Sequence, residues 1–183
     1  MNLDILIFAA HPDDAELGMG GTIAKLVSEG KSVGIIDFTK AELSSNGTVE
    51  SRGKETDDAS KMLNLTFREN LKFPDGKIKA NEELVNIVIT RIRKHKPKII
   101  FAPYFNDRHP DHIGASKIAK EAVFFSGLKK NETKLDGEIQ TIHRPEKLYY
   151  YMQTFEFIPS FVVDISDHFE TKMESVRAYK SQF

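Results

Sequence analysis

Residues 5–16 read Ile5-Leu6-Ile7-Phe8-Ala9-Ala10-His11-Pro12-Asp13-Asp14-Ala15-Glu16, and their order decides the fold. Six apolar residues in succession, without polar alternation, suit a strand buried on both faces of a parallel sheet. A polar cluster follows at once, at the carboxyl end of that strand. Helical spacing then takes over from Ala15 to Glu29, with Leu17, Ile23, Leu26 and Val27 recurring and Gly30 as the stop.

The pattern repeats downstream. Val33 to Phe38 reads as a second strand, and the polar stretch from Lys40 to Val49 as a loop. Ser51 to Asn64 is an amphipathic helix with Ala59, Met62 and Leu63 on its apolar side. Leu65 to Phe73 reads as extended, and Pro74-Asp75-Gly76 as a turn. Asn81 caps a helix running to His95, lined by Leu84, Ile87, Val88 and Ile92 and ended by Pro97. Lys98 to Pro103 is another buried strand, Asn106 to His112 a polar loop and Ile113 to Phe125 a helix. Lys129 to Thr141 is polar and reads as a mobile connection. Tyr149 to Met152 and Phe161 to Ile165 read as late strands, and Asp167 to Lys180 as the last helix. Strand–helix alternation predicts an α/β fold. The expected form is a Rossmann-like three-layer sandwich, with a mainly parallel sheet and helices on both faces, as a single domain over residues 1–183.

Composition narrows the chemistry. With 40% hydrophobic and 29% charged residues among 183, the chain can bury a core and is neither disordered nor membrane-embedded. Twenty-six basic residues face 27 acidic ones. That balance offers no bulk attraction to nucleic acid or an anionic membrane, and neither is expected as a partner. The apolar run at the N-terminus is too short for a bilayer and has no basic flank, so a cytoplasmic location is expected. Cysteine is not used at all. Disulfides, thiolate metal sites and cysteine nucleophiles are thereby excluded, and any metal must be held by His, Asp or Glu.

Two clusters carry such residues. The first is His11-Pro12-Asp13-Asp14-Ala15-Glu16; the second is Asp107-Arg108-His109-Pro110-Asp111-His112, a few residues after the strand ending at Pro103. Each proline stiffens its loop. Ligands of doubly wound sheets bind beyond the carboxyl ends of the strands. Two histidines and a carboxylate with an open position suit catalytic Zn²⁺ or another divalent ion. A spare carboxylate could serve as general base, and a spare histidine could stabilise an oxyanion or protonate a leaving group. Taken singly, each cluster has a plainer reading: a helix N-cap in the first case, a turn with solvated histidines in the second. Their joint occurrence at two strand ends favours one shared metal site. Spacing does not tell Asp13 from Asp14. Gly18-Met19-Gly20-Gly21 is not a dinucleotide fingerprint, because its first glycine comes eight residues after Ala10 rather than at the strand–helix junction. These glycines are read instead as small residues that let the helix pack close, and Asp37 as a strand-end residue without a role.

Ala10–Thr22 together with Asp107–His112 resembles the LmbE/PIG-L family of zinc-dependent N-acetylglucosamine deacetylases. Leu43–Thr48, Phe101–Tyr104, Tyr150–Met152, Val163–Ser166 and Ala178–Phe183 are similar to the bacillithiol-biosynthesis branch, which deacetylates N-acetylglucosaminyl-malate. Relatives acting on N,N′-diacetylchitobiose give the alternative substrate. The resemblance implies that His11, Asp14 and His112 hold the metal, Zn²⁺ with Fe²⁺ or another divalent ion as alternatives. It makes Asp13 the general base. His109 becomes the group that stabilises the oxyanion and helps the amine leave, with Asp111 as its orienting partner. Arg52 and, more weakly, Arg108 become substrate-binding residues suited to the carboxylates of malate, the rival for Arg52 being a solvated residue on a first helical turn. It further implies an amino-sugar substrate and a homo-oligomer, trimeric or hexameric. Members of the branch continue for several tens of residues beyond the stretch that ends here at Phe183, so this chain is expected to lack the family's C-terminal tail. If that tail is essential, a non-catalytic metal- or sugar-binding protein is the remaining alternative.

Overall fold

The computed structural model describes residues 2–183. In chain order the elements are β1 (Ile5–Ala9), α1 (Asp14–Ser28), β2 (Val33–Asp37), α2 (Val49–Met62), β3 (Phe67–Asn70), α3 (Glu82–His95), β4 (Ile99–Pro103), α4 (Pro110–Ser126), β5 (Lys134–Leu135), β6 (Glu138–Ile139), β7 (Lys147–Tyr151) and α5 (Phe169–Arg177). Five strands form one sheet in the order β3-β2-β1-β4-β7, and every neighbouring pair is parallel. β1 lies at the centre, and Leu6, Ile7, Phe8 and Ala9 are wholly shielded from solvent. That is the burial an unbroken apolar run demands.

Alternate residues of the strands feed two cores. On one face Leu6, Phe8, Ile36, Phe38 and Ile100 pack with Val88, Ile89 and Ile92 of α3 and with Ile118, Ala119 and Ala122 of α4. On the other, Ile5, Ile7, Val33 and Ile35 meet Ala15, Met19 and Ile23 of α1. α5 packs against α1 and α2 on that side. The expected α/β sandwich with helices on both faces is the observed fold. Each large side chain so buried contributes roughly 1.5–3 kcal/mol before the entropy of ordering it is counted.

Local chemistry sets the helix starts. Asn81 accepts from the Leu84 N–H at 3.0 Å, as expected of a cap. α2 begins at Val49, two residues ahead of the expected Ser51, because Thr48 and Ser51 form a reciprocal capping box. α4 begins at Pro110 rather than Ile113, since proline suits a first helical position where no N–H partner is needed. Asp111 and His112 therefore lie in its first turn instead of in the loop.

Three expectations are corrected. Phe161–Ile165 is not a strand: Val162 is 82% exposed, and Ile165 packs on α1 instead of pairing. A methyl group added at Gly21 would lie 2.5 Å from the Ile165 side chain, so the glycines of α1 do permit close packing. Lys129–Thr141 contains a short antiparallel hairpin, β5–β6. The last helix is shorter than Asp167–Lys180 and follows a 3₁₀ turn at Ser166–His168.

In this strand order the chain leaves β1 toward one edge of the sheet and β4 toward the other. A crevice opens between their carboxyl ends, and both polar clusters fall there.

Candidate active site

His11 follows β1 directly, and its neighbours turn sharply into α1. Asp13 occupies the N-cap position of that helix without a side-chain cap bond, at φ 103°, ψ −25°, a left-handed conformation that residues other than glycine seldom adopt. Such local strain persists only where surrounding contacts enforce it. Here Arg52, reaching in from α2, donates through one nitrogen to the Pro12 carbonyl at 2.8 Å and to Asp13 Oδ2 at 3.1 Å. Arg52 is 4% exposed, so the solvated reading is excluded.

Asp14 joins the two clusters. Its Oδ2 lies 3.4 Å from His11 Nδ1, and its Oδ1 3.3 Å from His112 Nε2. The far nitrogen of each imidazole faces another carboxylate: His11 Nε2 lies 3.1 Å from Asp75 and 3.5 Å from Asp111, and His112 Nδ1 lies 3.0 Å from Asp107. Without a cation, Asp14 favours a proton on each ring; with the outer nitrogens donating, a cation would find bare nitrogens turned to Asp14. This is the carboxylate–histidine pattern that orients metal ligands. The site is crowded with carboxylates, and a cation would balance them. His11, Asp14 and His112 thus fit a divalent metal. Ligand atoms of His11, His109 and His112 also lie within 4.8 Å of one another, as do those of His11, Asp75 and Asp111. Asp14 belongs to neither of these groups, but each of its oxygens faces one histidine.

His109 stands beside this group, its ring centre 4.7 Å from His11 and 4.9 Å from His112. Its Nδ1 accepts the backbone N–H of Asp111 at 3.2 Å, which leaves Nε2–H as the donor of the neutral ring. Burial and the charges of His11 and His112 hold its pKa below the ordinary value. Asp111 therefore meets His109 through its backbone N–H. The carboxylate is committed elsewhere, accepting from the N–H groups of Gly76 at 2.7 Å and Ile78 at 3.1 Å. Those bonds fix the turn that presents Asp75. Gly114 in α4 lets the same turn approach, since a methyl group there would collide with the Ile78 carbonyl oxygen.

The electrostatics separate the two adjacent aspartates. Burial pushes Asp13 up to about 7, helped by Asp14 and opposed by Arg52. Burial acts on Asp14 too, but its bonds to His11 and His112 win and hold it well below the usual carboxylate range. Burial opposes protonation of His11, yet Asp14, Asp75 and Asp111 outweigh it and raise its pKa to about 9. Geometry therefore distinguishes what spacing could not: Asp14 faces both histidines, while Asp13 faces Arg52.

Three residues near the site were not foreseen. Asp75 was read only as part of a turn. Asp107 stood in the second cluster without a role, yet its Oδ1 accepts from the His109 backbone at 2.8 Å and its Oδ2 from Thr154 at 3.0 Å. Asp37 forms a two-pronged pair with Arg68 at 2.8 and 3.0 Å. Arg108 is exposed in the loop just before α4. Asp107→Ala is expected to weaken metal binding about 10–100-fold while sparing the fold, as orienting partners generally do. Competition with a chelator checks this, and unchanged affinity would remove Asp107 from the site.

Residues 6–123 match the PIG-L family, described as GlcNAc-PI de-N-acetylase. This chain belongs to the PIG-L family. It is 32% identical, over 98% of its length and 70% of the relative's, to the diacetylchitobiose deacetylase of Thermococcus kodakarensis. Among solved structures, a conserved protein from Thermus thermophilus superposes with a TM-score of 0.92 at 45% identity, covering 99% of this chain and 80% of that one. The N,N′-diacetylchitobiose deacetylase from Pyrococcus horikoshii gives a TM-score of 0.86 at 29% identity, covering 98% of this chain and 70% of that one. More distantly, the mycothiol S-conjugate amidase of Streptomyces coelicolor is 28% identical over 81% of this PIG-L chain and 60% of its own. Among the described residues no helix is long and apolar enough to cross a membrane.

Proposed function

We propose that this PIG-L protein hydrolyses the N-acetyl group of an N-acetylglucosamine conjugate, with a divalent cation, Zn²⁺ in the first instance, held by His11, Asp14 and His112. The observation that carries the reading is the bridge of Asp14 between two carboxylate-oriented histidines, with Asp13 and His109 beside it. When bound, the cation polarises the acetyl carbonyl and lowers the pKa of water.

The protein's own groups do the rest. Asp13 takes a proton from the attacking water, a task suited to a carboxyl poised near 7. His109 directs its Nε2–H at the oxygen on which negative charge develops. As the C–N bond breaks, the proton is returned to nitrogen, so that acetate and a free amine leave. Arg52 restrains the base through Asp13 Oδ2.

Two substrates compete. N-acetylglucosaminyl-malate is supported by the sequence motifs, and Arg108 is exposed beside His109 where malate carboxylates could reach it. N,N′-diacetylchitobiose is supported by the Thermococcus and Pyrococcus relatives. Acetate release from both, and from free N-acetylglucosamine, measured on one sample of known metal content, decides between them. Bound metal with no acetate from any of the three would leave a binding protein rather than an enzyme.

A further inference from the structure

The Arg52 guanidinium is held in an unusual way. One of its nitrogens serves Pro12 and Asp13, but Nε and the other terminal nitrogen are buried and meet no hydrogen-bond acceptor among the described residues. Arginine normally owes its orientation to several donors acting together. What lies against this group instead is the ring of Tyr179, whose centre is 5.4 Å from the guanidinium carbon. Tyr179 is fully buried, and its hydroxyl donates to Glu16 at 3.0 Å. Glu16 is fully shielded as well, sits in the first turn of α1 beside Asp13 and Asp14, and pairs with Arg68. The ring is thus pinned at its hydroxyl end and presents its face to Arg52. Ser181 ties the same C-terminal turn to Glu55 of α2 through bonds of 2.7 and 2.8 Å.

We infer that Tyr179 is a positioning residue for the Asp13 carboxylate, acting through Arg52. The inference rests on the reading of Asp13 as the base. A left-handed backbone at Asp13 needs an external restraint, Arg52 supplies it, and the aromatic face fixes Arg52 where hydrogen bonds do not. Attraction between a guanidinium and a ring face is largest where water is shut out, as it is here.

The test uses metal-loaded protein and the best of the three substrates. Tyr179→Leu, which removes the face, is expected to lower kcat about 30-fold, the usual strength of a desolvated cation–π contact, with KM and bound metal unchanged. Tyr179→Phe keeps the face and should lose less, about threefold by the same measure. Pentafluorophenylalanine in place of Tyr179 keeps the size and reverses the charge of the face; it should match the Leu variant, which also guards against a Leu variant that fails to fold. In an Arg52→Ala background, Tyr179→Leu should cost nothing further, since contacting residues that act as a unit are not additive. Equal losses in both backgrounds, an effect on KM alone, or a pentafluoro variant as active as Tyr179→Phe would overturn the inference. If Asp13→Asn left turnover intact, the reading of the base itself would fail, a different result from any of these.

Discussion

Asp13→Asn protein is expected to fold, to carry as much divalent metal as the parent and to release acetate about 10²–10⁴-fold more slowly, the range a general base contributes. Asparagine tolerates the left-handed backbone nearly as well as aspartate, and its amide oxygen can still accept from Arg52. Only the capacity to take a proton is removed. Asp14→Asn makes the contrast, because Asp14 faces both histidines at 3.3–3.4 Å and should release metal when altered. Metal analysis alongside acetate release reads the difference. Equal metal loss in the two variants would exchange the roles of these neighbours.

His112→Ala is expected to have the other large effect, loss of bound metal and with it of turnover. An orienting partner is worth about 10–100-fold in affinity, so removing a ligand itself should exceed the upper end of that range. The substitution also strands Asp107, whose Oδ1 lies 3.0 Å from His112 Nδ1, although Asp107 keeps its bonds to the His109 and Thr154 backbones. Far-ultraviolet circular dichroism should therefore stay near that of the parent while metal disappears. A variant that retained full metal would point instead to the neighbouring grouping of His11, Asp75 and Asp111.

The sheet was legible because β1 and β4 are almost purely apolar, and polar residues follow β1 at once and β4 within a few residues. Burial on both faces leaves a strand no other composition. α3 was legible for a different reason: an apolar stripe, an asparagine cap and a terminating proline agree. Phe161–Ile165 misled because an apolar run has the same composition whether it pairs in a sheet or packs on a helix through Ile165. In the site, His11 and the Asp107–His112 cluster stood out by local density. Asp75 could not, being 64 residues from His11 in the chain and beside it only after folding. Nor could the task of the Asp111 carboxylate, since its partners are backbone N–H groups that no side-chain pattern encodes. Arg52 was placed near the site by resemblance; its burial against Asp13 and Tyr179 belongs to the fold alone.

The left-handed backbone at Asp13 bears on which sequences this site can tolerate. Two independent filters act at that position. The proposed role as base asks for a carboxylate, which admits aspartate and glutamate. Geometry asks for a residue at ease with positive φ, which favours glycine, asparagine and aspartate and disfavours longer or branched side chains. Aspartate alone passes both. Substitutions at position 13 should accordingly fall into separate classes: asparagine and glycine giving folded, inactive protein, glutamate retaining the charge but straining the turn, and valine or isoleucine failing on both counts. A position screened twice in this way has almost no neutral neighbours, whereas the next residue, Asp14, has ordinary helical geometry and is constrained by its partners alone.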